Sequence, residues 1–203
     1  MHQPYVFFKA AAIATLLAFT CTAQAQQSKP NHPFSVDSLK IQTIAKMVSD
    51  SFGAPVELVK QFIVEAKQME LREGIPATAF IGIAILESSG FTSYLYQNAR
   101  NPFGMRATKI WKGPTFTMFH EGADAPFRKY DTPADAVRDF ARFLRSRKWF
   151  QDALTCPPTD VECFLNGMIA NEKKREPGYA RDPEWPNKVR RVIMTYGLEV
   201  LKG

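Results

Sequence analysis

The sequence predicts a mainly α-helical protein with one small β-hairpin lobe. Three observations support this fold class. Apolar residues recur at helical spacing along most of the chain, one internal segment is apolar on nearly every side, and a single stretch alternates as a strand does. No internal repeat or low-complexity tract interrupts this pattern, so we expect a single domain of ordinary size.

The first 25 residues have the pattern of an export signal. Lys9 precedes an apolar run over residues 10–19, and Ala23-Gln24-Ala25 supplies the small-x-small cleavage pattern. This run is far shorter than the ~20 residues that a membrane-spanning helix needs. We therefore predict cleavage without a stable membrane anchor and a periplasmic or secreted protein. Lipidation at Cys21 is the less favoured alternative.

Two amphipathic helices are predicted at the start of the mature chain. Residues 26–54 are interpreted as a polar leader followed by an N-terminal helix, whose apolar spacing runs over residues 36–52. A stronger amphipathic helix over residues 55–73 begins the main domain, which we assign to residues 55–203.

Residues 76–88 are apolar nearly all round and are predicted to form a buried central helix. Glu87 is the one charged residue in this segment. Desolvation and the negative end of the helix dipole both disfavour its carboxylate, so the pKa of Glu87 should be raised. A carboxyl group that stays protonated near neutral pH can serve as a general acid. A structural glutamate in a salt bridge is the alternative interpretation.

An irregular stretch to Arg106 and then a β-hairpin are predicted after this helix. Residues 109–118 carry the β-branched and aromatic residues of a short hairpin. Its turn is predicted near Gly113-Pro114 or near Glu121-Gly122. Three further helices are predicted to open at Thr132, Thr159 and Asp182-Pro183, where acidic or hydroxyl residues stand at helix starts.

Further acids and many aromatic residues surround the predicted hairpin. Glu121 and Asp124 are candidates for a second carboxylate. Sugar rings stack on aromatic faces, so a groove with exposed aromatic side chains is typical of a glycan-binding site, although many of these side chains should lie in the core. The candidate substrate-binding residues are Asn101, Phe103, Trp111 and Tyr130.

The mature chain keeps two cysteines, Cys156 and Cys163, which are predicted to form a disulfide in an oxidising compartment. Two buried free thiols are the alternative. His120 is the only histidine of the main domain. One histidine with this cysteine spacing fits no usual zinc pattern, and we expect no metal and no cofactor.

The formal net charge is +6, which favours a polyanionic partner without naming it. The sequence carries no helix-turn-helix or aromatic RNA-binding signature. An exported protein meets anionic wall polymers and membrane surfaces before it meets nucleic acid, and we therefore expect no nucleic-acid partner. No sustained heptad pattern is present, and we expect a monomer.

Four motifs occur in an order and spacing that resemble the glucosaminidase domain of glycoside hydrolase family 73, over roughly residues 55–201. They are Ile85-Leu86-Glu87-Ser88-Ser89-Gly90, Asn101-Pro102-Phe103-Gly104-Met105-Arg106, Phe127-Arg128-Lys129-Tyr130-Asp131 and Gly178-Tyr179-Ala180-Arg181-Asp182-Pro183. The resemblance implies a lysozyme-like fold. It also implies hydrolysis of the β-1,4 bond after N-acetylglucosamine in peptidoglycan glycan strands.

The resemblance also implies roles for single residues. The essential acid of the family corresponds to Glu87, its second acid corresponds by spacing to Glu121, and its active-site tyrosine corresponds to Tyr179. Asp124 is the substitute for Glu121 because the hairpin is shorter than in many relatives. If neither acid reaches the cleft, the substrate's own N-acetyl group is an alternative. This sequence departs from the family pattern at Arg181, where threonine is usual, and at Pro102, where leucine is commoner.

Two other functions remain open from the sequence. A muramidase or lytic transglycosylase on the same fold would cut the other glycosidic bond. A non-catalytic wall-binding module would keep the fold without turnover, although it would have no use for the free-energy cost of burying an unpaired Glu87. The biological role, wall remodelling or attack on other bacteria, is also open.

Overall fold

A single helix, α3 (Ala77–Glu87), forms the centre of the protein, and its residues from Ala77 to Ile85 are all buried. Helices α2 (Val56–Glu73) and α8 (Trp185–Thr195) pack against it. Because α3 presents apolar side chains on every face, it needs such neighbours on several sides. The computed structural model describes residues 38–202. The predicted export signal, the polar leader and the first two residues of the predicted N-terminal helix lie outside these described residues.

Helix α1 (Ser38–Phe52) packs on α2 and buries Ile41, Ile44, Ala45 and Val48 in the same hydrophobic core. On another part of α2 lies α5 (Pro133–Arg145). This helix begins with the predicted capping box, in which the Thr132 side chain and the Asp135 side chain cap each other's backbone N–H. The predicted positions of these helices are therefore confirmed within one or two residues.

The β-lobe is one antiparallel hairpin of β1 (Thr115–His120) and β2 (Ala123–Arg128), with pairs from Thr115–Arg128 to His120–Ala123. Of the two predicted turns, the one at Glu121-Gly122 is present. The prediction that the hairpin starts at residue 109 is wrong. A local loop forms there instead, because the indole N–H of Trp111 donates to the Pro114 carbonyl at 2.9 Å.

The stretch after α3 was predicted to be irregular, and this is wrong for residues 94–99. They form a short helix, α4 (Tyr94–Ala99), whose N-cap is Ser93. The Ser93 hydroxyl accepts from the Tyr96 backbone N–H, which satisfies one of the donors at the helix start. Six residues are too few for a periodic pattern to be visible in the sequence.

Two short helices, α6 (Gln151–Leu154) and α7 (Val161–Asn166), follow α5. A disulfide joins Cys156, which follows α6, to Cys163 in α7, as predicted. Single 3-10 turns at Lys148–Phe150 and Leu198–Leu201 complete the chain path. The mainly helical fold class with a small hairpin lobe is thus confirmed.

No helix within residues 38–202 is long and apolar enough to cross a membrane. Over the same residues, no three His, Cys, Asp or Glu side chains are grouped so that they could hold a metal ion.

Candidate active site

Glu87 is the last residue of α3 and stands where the buried helix reaches an open groove. The next residue, Ser88, is fully buried and holds the chain at this exit. Its hydroxyl donates to the Ala84 carbonyl at 2.5 Å and accepts from the Phe91 backbone N–H at 2.8 Å. These two hydrogen bonds fix the backbone turn that follows Glu87. The position of Glu87 is therefore set by the end of α3 and by this turn.

The groove has a volume of about 550 Å³ and combines residues from distant parts of the chain. Its walls come from α4, from the hairpin and from the segment that leads into α8. The lining residues are Glu87, Ser93, Tyr94, Leu95, Phe103, Gly104, Arg106, Met118, His120, Phe127, Tyr179, Ala180, Arg181, Asp182 and Trp185. An acid in an open, largely apolar and aromatic cleft is the arrangement expected for a glycan-binding site.

The electrostatic surroundings of Glu87 favour its protonated form. Burial raises the pKa of the carboxyl, while a hydrogen bond from Trp185 and the positive charge of Lys188 oppose this rise. The indole Nε1–H of Trp185 donates to Oε1 of Glu87 at 2.7 Å. The side chain still has an exposed face toward the groove. Glu87 is therefore both accessible to a ligand and shifted in the direction that a general acid requires.

Tyr179 lies beside this pair and also lines the groove. Its ring centroid is 5.3 Å from that of Trp185, and its hydroxyl donates to the Phe103 carbonyl at 2.9 Å. Burial and the nearby charge of Glu87 raise the pKa of the Tyr179 hydroxyl well above its ordinary value. The hydroxyl therefore stays neutral, and its oxygen can still accept a hydrogen bond from a ligand.

Glu121, the predicted second acid, occupies the tip of the hairpin. It has a positive φ of 53° and its side chain is 80% exposed. Its carboxylate lies 3.6 Å from the guanidinium of Arg106 and 3.7 Å from the imidazole of His120. Arg106 and His120 line the groove, whereas neither Glu121 nor Asp124 does so. The structure thus places Glu121 next to the rim of the groove.

Two predicted substrate-binding residues lie in the loop between α4 and the hairpin. The ring of Phe103 is almost fully buried, although the residue contributes to the groove wall. The Asn101 amide N–H groups donate to the carbonyls of Met105 and Arg128 at 2.9 Å each. Asn101 is buried and organises this loop from within, so its polar atoms are used by the protein itself.

The structure places the other two candidates, Trp111 and Tyr130, away from the groove lining. Tyr130 is buried, and its hydroxyl donates to Asp139 at 2.7 Å. Burial and this carboxylate raise the pKa of Tyr130. Trp111 packs against the core, and the guanidinium of Arg128 lies 4.8 Å from its ring centroid. Both residues have a structural role that accounts for their environment.

Two residues of the groove, Trp185 and Tyr94, were not among the site residues predicted from the sequence. Trp185 follows the Gly-Tyr-Ala-Arg-Asp-Pro motif by two residues, yet its partner Glu87 is 98 positions earlier. No local pattern could reveal that contact. Tyr94 follows the helix-capping Ser93, which was a sequence signal for the short helix, but the position of that helix beside the groove is visible only in the structure.

The geometry, a raised-pKa glutamate in an aromatic groove at the end of a central buried helix, fits a glycoside hydrolase. The chain belongs to the glucosaminidase family: residues 64–198 match the family described as mannosyl-glycoprotein endo-beta-N-acetylglucosaminidase. The predicted family and enzyme class are therefore confirmed.

Individual relatives agree with this assignment. Peptidoglycan hydrolase FlgJ of Vibrio cholerae is 28% identical over 165 residues, which cover 75% of this chain and 46% of that protein. Exo-glucosaminidase LytG of Bacillus subtilis is 29% identical over 128 residues, which cover 59% of this chain and 43% of that protein. The chain thus spans about half the length of the curated relatives it matches.

A solved structure confirms the lysozyme-like fold. The glycoside hydrolase domain of FlgJ from Salmonella typhimurium superimposes with a TM-score of 0.56 at 22% identity, over 76% of this chain and 89% of that one. At this level of identity the likeness concerns the fold.

Proposed function

We propose that this protein is an exported peptidoglycan hydrolase that cleaves the β-1,4 bond after N-acetylglucosamine, with Glu87 as the proton donor. One observation carries the proposal: Glu87 opens into the groove, yet burial raises its pKa. The family membership and the names of the relatives, peptidoglycan hydrolase and exo-glucosaminidase, support a wall glycan as the substrate. The basic net charge of the chain is consistent with a polyanionic wall.

In the proposed reaction, the protonated Glu87 gives its proton to the glycosidic oxygen as the bond from that oxygen to the anomeric carbon breaks. Water then supplies the hydroxyl group at the anomeric carbon, and its second proton returns to a carboxylate. The Trp185 bond holds Oε1 of Glu87. This contact leaves Oε2 to carry the proton toward the substrate.

Glu121 is the proposed second carboxylate. Its support is its contact with Arg106 and its sequence neighbour His120, both of which line the groove. A bound glycan that reaches the hairpin tip would meet this acid. In the alternative route the substrate's N-acetyl group stabilises the positive charge at the anomeric carbon. The neutral Tyr179 hydroxyl would then orient that group or the attacking water.

The groove offers Tyr94 as a surface for sugar stacking. Tyr94 is 62% exposed, lines the groove and has its ring centroid 5.7 Å from that of Phe116. An exposed aromatic ring beside a cleft can pack on the apolar face of a sugar. Among the four residues predicted from sequence, Phe103 is the one that contributes to the same wall. Binding roles for Asn101, Trp111 and Tyr130 stay predictions.

The test is digestion of purified peptidoglycan by the protein and by Glu87→Gln, followed by mass spectrometry of the reduced fragments. We expect fragments that end in reduced N-acetylglucosamine from the unmodified protein and none from Glu87→Gln. Glu65→Gln is the matched control, because Glu65 is a half-buried glutamate on α2 outside the groove. It should digest the wall normally.

The other outcomes identify the alternative functions. Fragments that end in reduced N-acetylmuramic acid would indicate a muramidase, and anhydro sugars would indicate a lytic transglycosylase. Tight binding of intact wall by all three proteins, without any fragments, would overturn the enzymatic proposal in favour of a wall-binding module.

A further inference from the structure

A second hollow of about 490 Å³ adjoins the groove that contains Glu87. Arg181 lines both of them. The two hollows also meet through the backbone, because the Ala170 N–H donates to the Ala180 carbonyl at 2.8 Å. Ala180 lines the groove and Ala170 lines the second hollow. A ligand in the groove therefore has the second hollow directly beside it, across Arg181.

The two hollows differ in chemistry. The groove combines charged residues with several aromatic rings, whereas the second hollow has no aromatic residue among its eight lining residues, of which four are charged: Glu172, Arg175, Glu176 and Arg181. Without an aromatic ring, the second hollow offers a sugar no face on which to stack. It suits a ligand that carries carboxylates and an amine, as a short peptide does.

The guanidinium of Arg181 is available for such a ligand. Its neighbour Asp182 is already paired with Lys188 at 2.6 Å, and this pairing lowers the pKa of Asp182. The side chain of Arg181 is exposed and makes no ion pair with any residue between 38 and 202. The glucosaminidase family usually has threonine at this position. The arginine therefore adds a positive charge at the boundary of the two hollows.

We propose that the second hollow binds the peptide that peptidoglycan carries on its muramic acid residues, with Arg181 binding a carboxylate of that peptide. The sugars of the same strand would occupy the groove beside Glu87. The inference rests on the proposed function and adds a preference to it: the enzyme acts better on strands that still carry their peptides. A guanidinium binds a carboxylate through two parallel N–H groups, which gives direction as well as charge.

The test compares two soluble substrates, uncross-linked glycan strands with their peptides and the same strands after enzymatic removal of the peptides. The unmodified protein should show a lower KM for the peptide-bearing strands. For Arg181→Thr, we expect the KM on peptide-bearing strands to rise about fivefold, the scale of one partly exposed charge-assisted contact. Because Arg181 also lines the groove, the diagnostic quantity is the ratio of the two KM values: the KM on peptide-free strands should rise less than the KM on peptide-bearing strands.

Arg191→Thr is the matched control, because Arg191 is an exposed arginine on α8 that lines neither hollow. It should behave as the unmodified protein on both substrates. A folding defect in Arg181→Thr would raise both KM values alike, so a selective rise on peptide-bearing strands cannot come from misfolding.

Two results would overturn the inference while leaving the proposed function intact. One is equal KM values of the unmodified protein for the two substrates. The other is an Arg181→Thr variant that changes both substrates alike or neither. If the unmodified protein cleaves neither substrate, the proposed function itself fails and this inference fails with it.

Discussion

The indole nitrogen of Trp185 donates a hydrogen bond of 2.7 Å to Oε1 of Glu87. This contact joins the first residue of α8 to the last residue of α3. It stabilises the carboxylate and lowers the pKa of Glu87, whereas burial, the larger effect, raises it. The pKa of the catalytic candidate is therefore a balance between desolvation at the end of the buried helix and two opposing contributions, from Trp185 and Lys188, that come from a distant part of the chain.

Trp185→Phe should move the alkaline limb of the activity profile to higher pH. A general acid works while it is protonated, so activity falls as the pH rises through the pKa of Glu87. The lost hydrogen bond had favoured the charged form, and its removal raises that pKa further. The measurement is kcat/KM on solubilised peptidoglycan across the acid-to-alkaline range.

Trp149→Phe is the control for this experiment. Trp149 is half-buried and lies outside the groove, and its indole nitrogen has no hydrogen-bond partner within the described residues. Its replacement should leave the pH profile unchanged. A limb that stays in place in Trp185→Phe, or moves to lower pH, would refute the role given to this hydrogen bond.

Glu121→Gln should lower kcat about 100-fold or more if Glu121 is the second carboxylate, the scale of one lost general acid or base. Asp124→Asn should have little effect, because Asp124 has no ion pair among residues 38–202 and does not line the groove. Turnover of peptidoglycan fragments measures both. Full activity in Glu121→Gln would instead favour the route through the substrate's N-acetyl group. If kcat falls in Asp124→Asn but not in Glu121→Gln, Asp124 rather than Glu121 is the second carboxylate.

Asp139→Ala should destabilise the protein by about 3–5 kcal/mol, because it leaves a charged arginine buried without its partner. Asp139 accepts from Arg128 at 2.6 Å and from Tyr130 at 2.7 Å, and all three residues are buried. Urea denaturation measures the loss in the free energy of unfolding.

Tyr130→Phe separates the structural role of this cluster from substrate binding. It removes one hydrogen bond and should cost about 1 kcal/mol of unfolding free energy. Because Tyr130 is buried and outside the groove lining, its KM for glycan strands should not change. A raised KM with unchanged stability would restore the substrate-binding prediction for Tyr130.

Gly178→Ala should reduce both stability and activity. Gly178 has a φ of +60°, and a Cβ there would lie 2.2 Å from the backbone nitrogen of Ala170. The backbone must therefore shift, and it carries Tyr179 with it. Gly197→Ala is the control, since Gly197 has the same φ but open space around it. The free energy of unfolding of this control should fall by only about 1–2 kcal/mol, which is the cost of a left-handed backbone conformation for a residue that bears a side chain. Equal losses of unfolding free energy in the two variants would contradict the close contact at Gly178.

Most of the helices could be predicted from the sequence because their signals are local. The apolar residues on every face of α3 predict a buried helix. Glu87 is the single charged residue at its end, and this position alone predicts the raised pKa. The capping box at Thr132 placed α5 in the same way. Short elements were less accessible, because α4 has too few residues for periodicity and the hairpin had two equally suitable turns.

The helical fold class, the candidate acid and the disulfide between Cys156 and Cys163 could be predicted from residues that lie close together in the chain. The side chains that surround that acid could not, because they come together through packing of distant segments. The tertiary structure brought Trp185 to Glu87, placed Tyr130 in the core and set Glu121 at the rim. The physical reason is that packing of α8 against α3 creates these contacts, and the burial and hydrogen bonding that set a pKa depend on neighbours in space rather than in sequence.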